Sequence, residues 1–367
     1  MQLSSLIFAG VLVSTAFGQS VRPQNITILQ PDMPLAPNPL PLPGAASNAD
    51  AIVAAFAKLG RTTVWNLAQK IKMEGETFEP EGMVRVGDDR FFVSGYNAIA
   101  PTPSFNGSII NGTDRAAGVG LPHLWVYSGN GTKIADATLA QNGDIEYHVG
   151  GIDYDGEYIW ATIAQDRPNS TATLVKIDPT NITVTNIVHI TDHLGGVVHD
   201  VETGNLHMLG WGSRNASTWN LNYKAAPYPA FTTPRNVRRN PSYWNDYQDC
   251  KFLGHPAAYN FRAVMFCSGL ITMPNVPGLY NNTQVGGISI VDLLTMVPLA
   301  EIPVALKSDL GALMLNNPVD VNIVDGKMRV YFMPDQHNST MYVFEPEDNS
   351  PYEFGGWPYG LSGEFPL

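Results

Sequence analysis

The feature that most restricts this chain is a phrase it writes twice. Residues 148–164 read HVGGIDYDGEYIWATIA, and residues 193–211 read HLGGVVHDVETGNLHMLGW. Each copy has a histidine, a Gly-Gly pair, an apolar run, an acidic turn and a second apolar run. A chain built from one repeated supersecondary unit buries its apolar faces by stacking the copies, so the repeat decides the architecture before any single element does. Short apolar runs broken by Gly, Asp, Asn and Pro are strands rather than helices.

Carried along the chain, the unit occurs five times. Inner strands are EGMVRVG just after Glu79, GGIDYDG after His148, GGVVHDV after His193, QDCKFLG after Asp246 and NPVDVNIVDG after Asn316. Second strands are RFFVSGY, YIWATIA, LHMLGW, RAVMFCSG and RVYFMP, and outer strands follow in segments such as HLWVYSGNGTKIADATL and TLVKIDPTNITVTNIVHI. The third copy offers only STWNLN there. Four-stranded antiparallel sheets repeated around an axis protect their edges in a closed ring, which predicts an all-β fold, a five-bladed β-propeller. The early segment TTVWNLAQKIKME is expected to complete the last blade. A six-bladed ring and a β-sandwich are the alternatives, and both account for the repeat less simply. Loop insertions such as NAIAPTPSFNGSIINGTDRAAGVG explain the uneven spacing.

Ahead of the repeats, residues 1–18, MQLSSLIFAGVLVSTAFG, have the apolar run and small residues of a signal peptide. Residues 19–47 include QPDMPLAPNPLPLPG, read as an extended linker, and SNADAIVAAFAKLG predicts a short helix over 48–60. The propeller is expected over 61–347 and a tail over 348–367. No run approaches the roughly 20 apolar residues of a membrane span, so the expectation is a secreted protein without one.

Nine glycosylation sequons agree with export: Asn25, Asn106, Asn111, Asn130, Asn169, Asn181, Asn215, Asn281 and Asn338. The two cysteines, Cys250 and Cys267, flank the reversal GHPAAYN between two strand-like runs, which predicts a cross-strand disulfide in an oxidising compartment. Two buried free thiols are the alternative. A formal charge of −12 excludes the basic footprint of a nucleic-acid binder.

In a propeller the starts of the inner strands crowd together around the axis. Alignment on the Gly-Gly pair therefore places Glu79, His148, His193 and Asp246 in equivalent positions, with Asn316 or Asn317 as the fifth. Two imidazoles and carboxylates on one axis can hold a divalent metal through His148, His193 and Glu79. They can also perform metal-free acid/base catalysis, or simply bond ordered water. Loops leaving the second strands add Arg167, Trp211 and Arg214, a guanidinium and aromatic rim suited to an anionic ligand, or else loop anchors. His199, His207 and His255 lie in or beside strands and are read as structural. No Gly-x-Ser-x-Gly elbow or phosphate-cradling Gly-rich loop occurs.

The strings HVGGIDYDGEYIW, DRPNSTATLVKIDP, DHLGGVVHDVETGNLH, WGSR, YQDCKFLG, FCSGL and YFMPDQHNSTMYVFE resemble, nearly in order, a family of bacterial and fungal secreted propeller-like proteins catalogued as a domain of unknown function. The resemblance covers about Thr63 to Glu345 and implies no reaction. It implies a histidine at the position of Glu79, within His-Pro-x-Gly; here a carboxylate replaces it. The functions expected are binding of a small anionic or polyhydroxylated molecule, with transformation of the hydrolase, lyase or isomerase kind; a non-catalytic module for glycans or protein partners; and tailoring of a fungal secondary metabolite.

Overall fold

The computed structural model describes residues 25–60, 62–220, 233–273 and 283–348. The expected signal peptide, the sequon at Asn281 and nearly all of the expected tail lie outside these residues. Five antiparallel sheets surround one axis, as the repeat predicts. Each begins at the axis with the expected inner strand: Glu79–Arg85, His148–Val149 with Asp153–Tyr154, Gly196–Asp200, Tyr247–Gly254 and Val319–Val324. The ring closes through Thr63–Lys72, which pairs with Thr340–Asp348 and joins both ends of the chain in the fifth blade.

Second strands are buried on both faces because each is sandwiched between neighbouring blades. In Ile159–Ala164 all six residues are buried, which explains why these runs are continuously apolar rather than alternating. Apolar clusters fill the junctions between blades. Phe92 and Leu124 meet Ile152 and Ile159 between the first and second, and Leu174 meets Trp219 between the second and third. Met83 meets Tyr331 where the fifth meets the first. Burying one such large side chain stabilises the ring by about 1.5–3 kcal/mol.

Three features were not visible in the sequence. Asn25–Ile28 adds an extra strand to the outer edge of the first blade, against Lys133–Thr138. The proline-rich segment after it is extended, but it packs Met33, Leu35, Ala36 and Leu40 on the core rather than tethering a free leader. In the third blade the missing outer strand is Asn236–Arg239, paired with Asn215–Asn220.

The N-terminal helical segment is two pieces, Gly44–Ser47 and Ala49–Phe56, joined at Asn48. Asn48 hydrogen-bonds the Gly44 carbonyl at 2.9 Å and Asn322 Oδ1 at 3.0 Å. Gly44, Ala45 and Asn322 close one end of the axial channel, where only about 20 Å³ remains. Cys250 and Cys267 face each other on paired strands and form the expected disulfide. The asparagines of the eight described sequons are all exposed.

The Gly-Gly pairs serve the contact between blades. A Cβ on Gly150 would overlap the carbonyl oxygen of Gly195, and one on Gly151 would lie 2.8 Å from the Gln248 carbonyl oxygen. The Gly151 N–H donates to the Gly195 carbonyl at 2.9 Å. The motif thus lets inner strands of neighbouring blades touch backbone to backbone at the axis, and the histidine before it sits at the channel mouth.

Candidate functional site

At the open end of the channel is a cavity of about 330 Å³, whose walls include Glu79, Glu81, Tyr96, His148, Asp166 and His193. Glu79 opens the inner strand of the first blade and hydrogen-bonds Tyr96 on the adjacent strand. Glu81 lies where the pairing of these strands shifts register, between Pro80 and Gly82. An unpaired bulge residue re-aims its side chain, and Glu81 comes 3.8 Å from His148 Nε2.

The two repeat histidines meet with ring centroids 5.4 Å apart. Tyr96 flanks His148 at 5.1 Å and Trp211 flanks His193 edge-on at 4.8 Å. His193 Nδ1 lies 2.8 Å from the Gln165 carbonyl oxygen. A carbonyl can only accept, so Nδ1 carries the proton and Nε2 presents a lone pair. Gly195 stands beside that nitrogen, where an added Cβ would be 3.2 Å away.

Burial dominates the electrostatics. It pushes His148 down to about 4 and, together with the neighbouring His148 imidazole, which disfavours a second positive charge, pushes His193 down to about 3. Both imidazoles are therefore neutral at pH 7. Burial, then the neighbouring Glu79, Asp166 and Asp249, hold Glu81 well above the usual carboxyl range. Glu79 is raised by burial and by Asp166. Asp166 is pushed up to about 6 by burial, against the opposing Arg115 and a hydrogen bond from Thr102. Both of these opposing residues belong to the long insertion after the second strand of the first blade, and Arg115 also covers the Trp211 ring at 4.9 Å.

The sequence-derived positions divide at this point. Glu79, His148, His193, Trp211, Asn316 and Asn317 line the cavity; Asp246, Arg167 and Arg214 do not. Arg214 pairs with Asp246 and donates to the Ser242 and Asn245 carbonyls at 3.0 Å each, so both ends of that pair are committed to holding a loop. Arg167 donates to Gln165 Oε1 at 2.8 Å. The expected arginine rim is thus a set of loop anchors. Glu81, Tyr96 and Asp166 were not singled out from the sequence. The only signal for Glu81 was its place as the variable residue in Glu79-Pro80-Glu81-Gly82, and for Asp166 its place beside Arg167 in a loop already assigned to this face.

Among the described residues, no group of three or more His, Cys, Asp or Glu side chains has the geometry to hold a metal ion. His148, His193 and Glu79 share the cavity without forming such a set. His199, His207 and His255 bond to Asp155, Thr218 and Asp200 at 2.8, 3.1 and 3.2 Å, away from the cavity.

Below the mouth the channel is plugged. Lys251, 2% exposed, donates to Asp249 Oδ1 at 2.5 Å and to the Ile152 carbonyl at 2.7 Å. Asp249 Oδ2 accepts the Met83 and Val319 N–H groups at 3.0 and 3.1 Å, tying the first, fourth and fifth blades. Asp153 accepts from His199 N at 3.1 Å and Phe252 N at 3.4 Å, tying the second, third and fourth.

The sequence profile of a family of unknown function, DUF6454, matches residues 40–347. No curated protein matches the chain. Among solved structures it is similar to a luciferin-regenerating enzyme at 9% identity, over 75% of this chain and 94% of that one, with a TM-score of 0.39.

Proposed function

The chain belongs to that family of unknown function, and from this premise we propose that it is an exported glycoprotein that binds a small polar molecule in the axial cavity and transforms it by proton transfer, as a hydrolase, lyase or isomerase. The observation that carries the reading is a pair of buried carboxyl groups, Asp166 and Glu81, lining one cavity beside the two imidazoles, in surroundings that raise the proton affinity of both. Asp166, at about 6, is ionised at pH 7 and still basic enough to take a proton. Glu81, held well above the usual carboxyl range by burial and by the neighbouring carboxyl groups, binds its proton more tightly than an ordinary carboxyl and is the group suited to give it. Environments that tune two carboxyl groups of one cavity in this way assign base and acid.

Magnitude decides against the histidines as bases. An imidazole near 3 or 4 is a weak base at pH 7, whereas a group near the working pH combines the right ionisation with adequate basicity. His193 Nε2 and His148 instead act as neutral acceptors that orient the ligand, and Trp211 supplies an apolar wall.

The test is exposure of the purified protein to a metabolite extract of the secreting organism, followed by mass spectrometry against the Asp166→Asn and Glu81→Gln variants. A species converted by the wild-type protein and left intact by both variants supports the reading. Its turnover should fall as pH drops through about 6, where Asp166 gains a proton. A species retained unchanged by all three proteins identifies a recognition module instead.

A further inference from the structure

We propose that the ligand of the axial cavity is a cation, a protonated amine carried on an apolar or hydroxylated body. This rests on the cavity being the ligand site and adds the chemical class. Three carboxyl groups, Glu79, Glu81 and Asp166, line the space, and among the described residues no lysine or arginine does. The arginines nearby stand outside the lining: Arg214 is held by Asp246 and two carbonyls, and Arg167 donates to Gln165. Arg115 is outside the lining, over the Trp211 ring and paired with Asp114 at 3.0 Å, and its charge offsets Asp166 only in part, since burial still raises that carboxyl. An anionic ligand would meet like charge with no cationic side chain in the cavity wall to compensate it.

Hydrogen-bonding capacity points the same way. His193 is 3% exposed, its Nδ1–H is committed to the Gln165 carbonyl, and Nε2 has no hydrogen-bond partner among the described residues. This nitrogen can only accept. With the carboxylates of Glu79 and Asp166 it makes the cavity rich in acceptors, and an ammonium is the ligand group that brings three donors and no acceptor. The rings of Tyr96 and Trp211 stand at the same walls, and aromatic faces attract cations further. The charged group is therefore expected between Glu79, Asp166 and His193, with the ligand body along Trp211.

Calorimetric titration of the full chain with benzylammonium, benzyl alcohol and benzoate separates charge from shape, because the three share one ring. At pH 7.5 benzylammonium should bind at least about tenfold more tightly than benzyl alcohol, and benzoate more weakly than both. The preference should grow between pH 5 and pH 7.5 as Asp166 ionises. It should collapse towards equality in the isosteric Glu79→Gln, Asp166→Asn double variant, whose folding is checked by its thermal transition. Benzoate or benzyl alcohol binding as tightly as the ammonium, a preference that survives in the double variant, or no binding of any probe would overturn the proposal. Binding of the alcohol that His193→Ala removes, with no charge preference, would overturn the cationic class while leaving the cavity as the ligand site.

Discussion

The mouth and the middle of the axial channel use the same residue types to opposite effect. In the middle, Asp249 takes two backbone N–H groups and the Lys251 ammonium, and Lys251 in turn finds the Ile152 carbonyl. At the mouth, Glu81 is equally buried, but the nearest basic group is a neutral imidazole 3.8 Å away. A buried charge that is paired and bonded holds strands together; a buried ionisable group without such partners shifts its proton affinity and is available for chemistry. The propeller therefore spends its satisfied polar groups where blades must be joined and leaves unsatisfied ones where a ligand can enter.

The largest test of this contrast is Lys251→Met. Removing the ammonium strands Asp249 in the interior, and breaking a buried pair from one side costs about 3–5 kcal/mol. The urea midpoint should fall sharply, and an unchanged midpoint would mean that the plug is not what joins the blades.

Asp153→Asn comes next, with an expected loss of about 1–3 kcal/mol at pH 5, since one of two backbone donors loses its acceptor. The pH dependence has a definite sign. Burial raises Asp153 from 3.8 to about 8, so between these values the folded chain keeps a proton that the unfolded chain has released. Wild-type stability therefore falls through this contribution as pH rises from about 4 to 8, and the amide has no such slope. The deficit of the variant should shrink between pH 5 and pH 8. A deficit that grows would show Asp153 to be ionised in the folded state.

His193→Ala should cost about 1–2 kcal/mol, because it takes the Nδ1–H donor away from the Gln165 carbonyl while the rest of the side chain borders the cavity. It should nevertheless abolish ligand binding in calorimetry. Lost folding with unaltered affinity in the remaining folded fraction would move this histidine to the scaffold side of the comparison.

The smallest expected effect belongs to Arg167→Ala. Its partner is Gln165, outside the cavity wall, so both stability and benzylammonium affinity should stay within about 0.5 kcal/mol. A large loss of affinity would redraw the boundary of the mouth.

Much of the fold was legible because strands announce themselves locally. The repeat of His-x-Gly-Gly, acidic turn and apolar run located the inner and second strands. The segment around Thr63–Lys72 was identifiable as the closing strand because a ring of whole blades lacked one member. The spacing of Cys250 and Cys267 across a short reversal placed the sulfurs on facing residues. By contrast, Asn236–Arg239 was missed, since a short polar outer strand has little apolar signal, and the packing of Met33 and Leu40 was hidden behind prolines that read as a linker.

The sequence by itself determined which backbone positions begin at the axis, and hence that Glu79, His148 and His193 come from equivalent places. Only the tertiary structure decided which side chains face one another there. A register shift turns Glu81 inward, a loop from the second blade brings Asp166, and an insertion from the first reaches Trp211 of the third through Arg115. The physical reason is one of range. Strand periodicity and turns are written in neighbouring residues, whereas the direction of a bulged side chain, the partner of an arginine and the proton affinity of a buried carboxyl depend on groups from other blades.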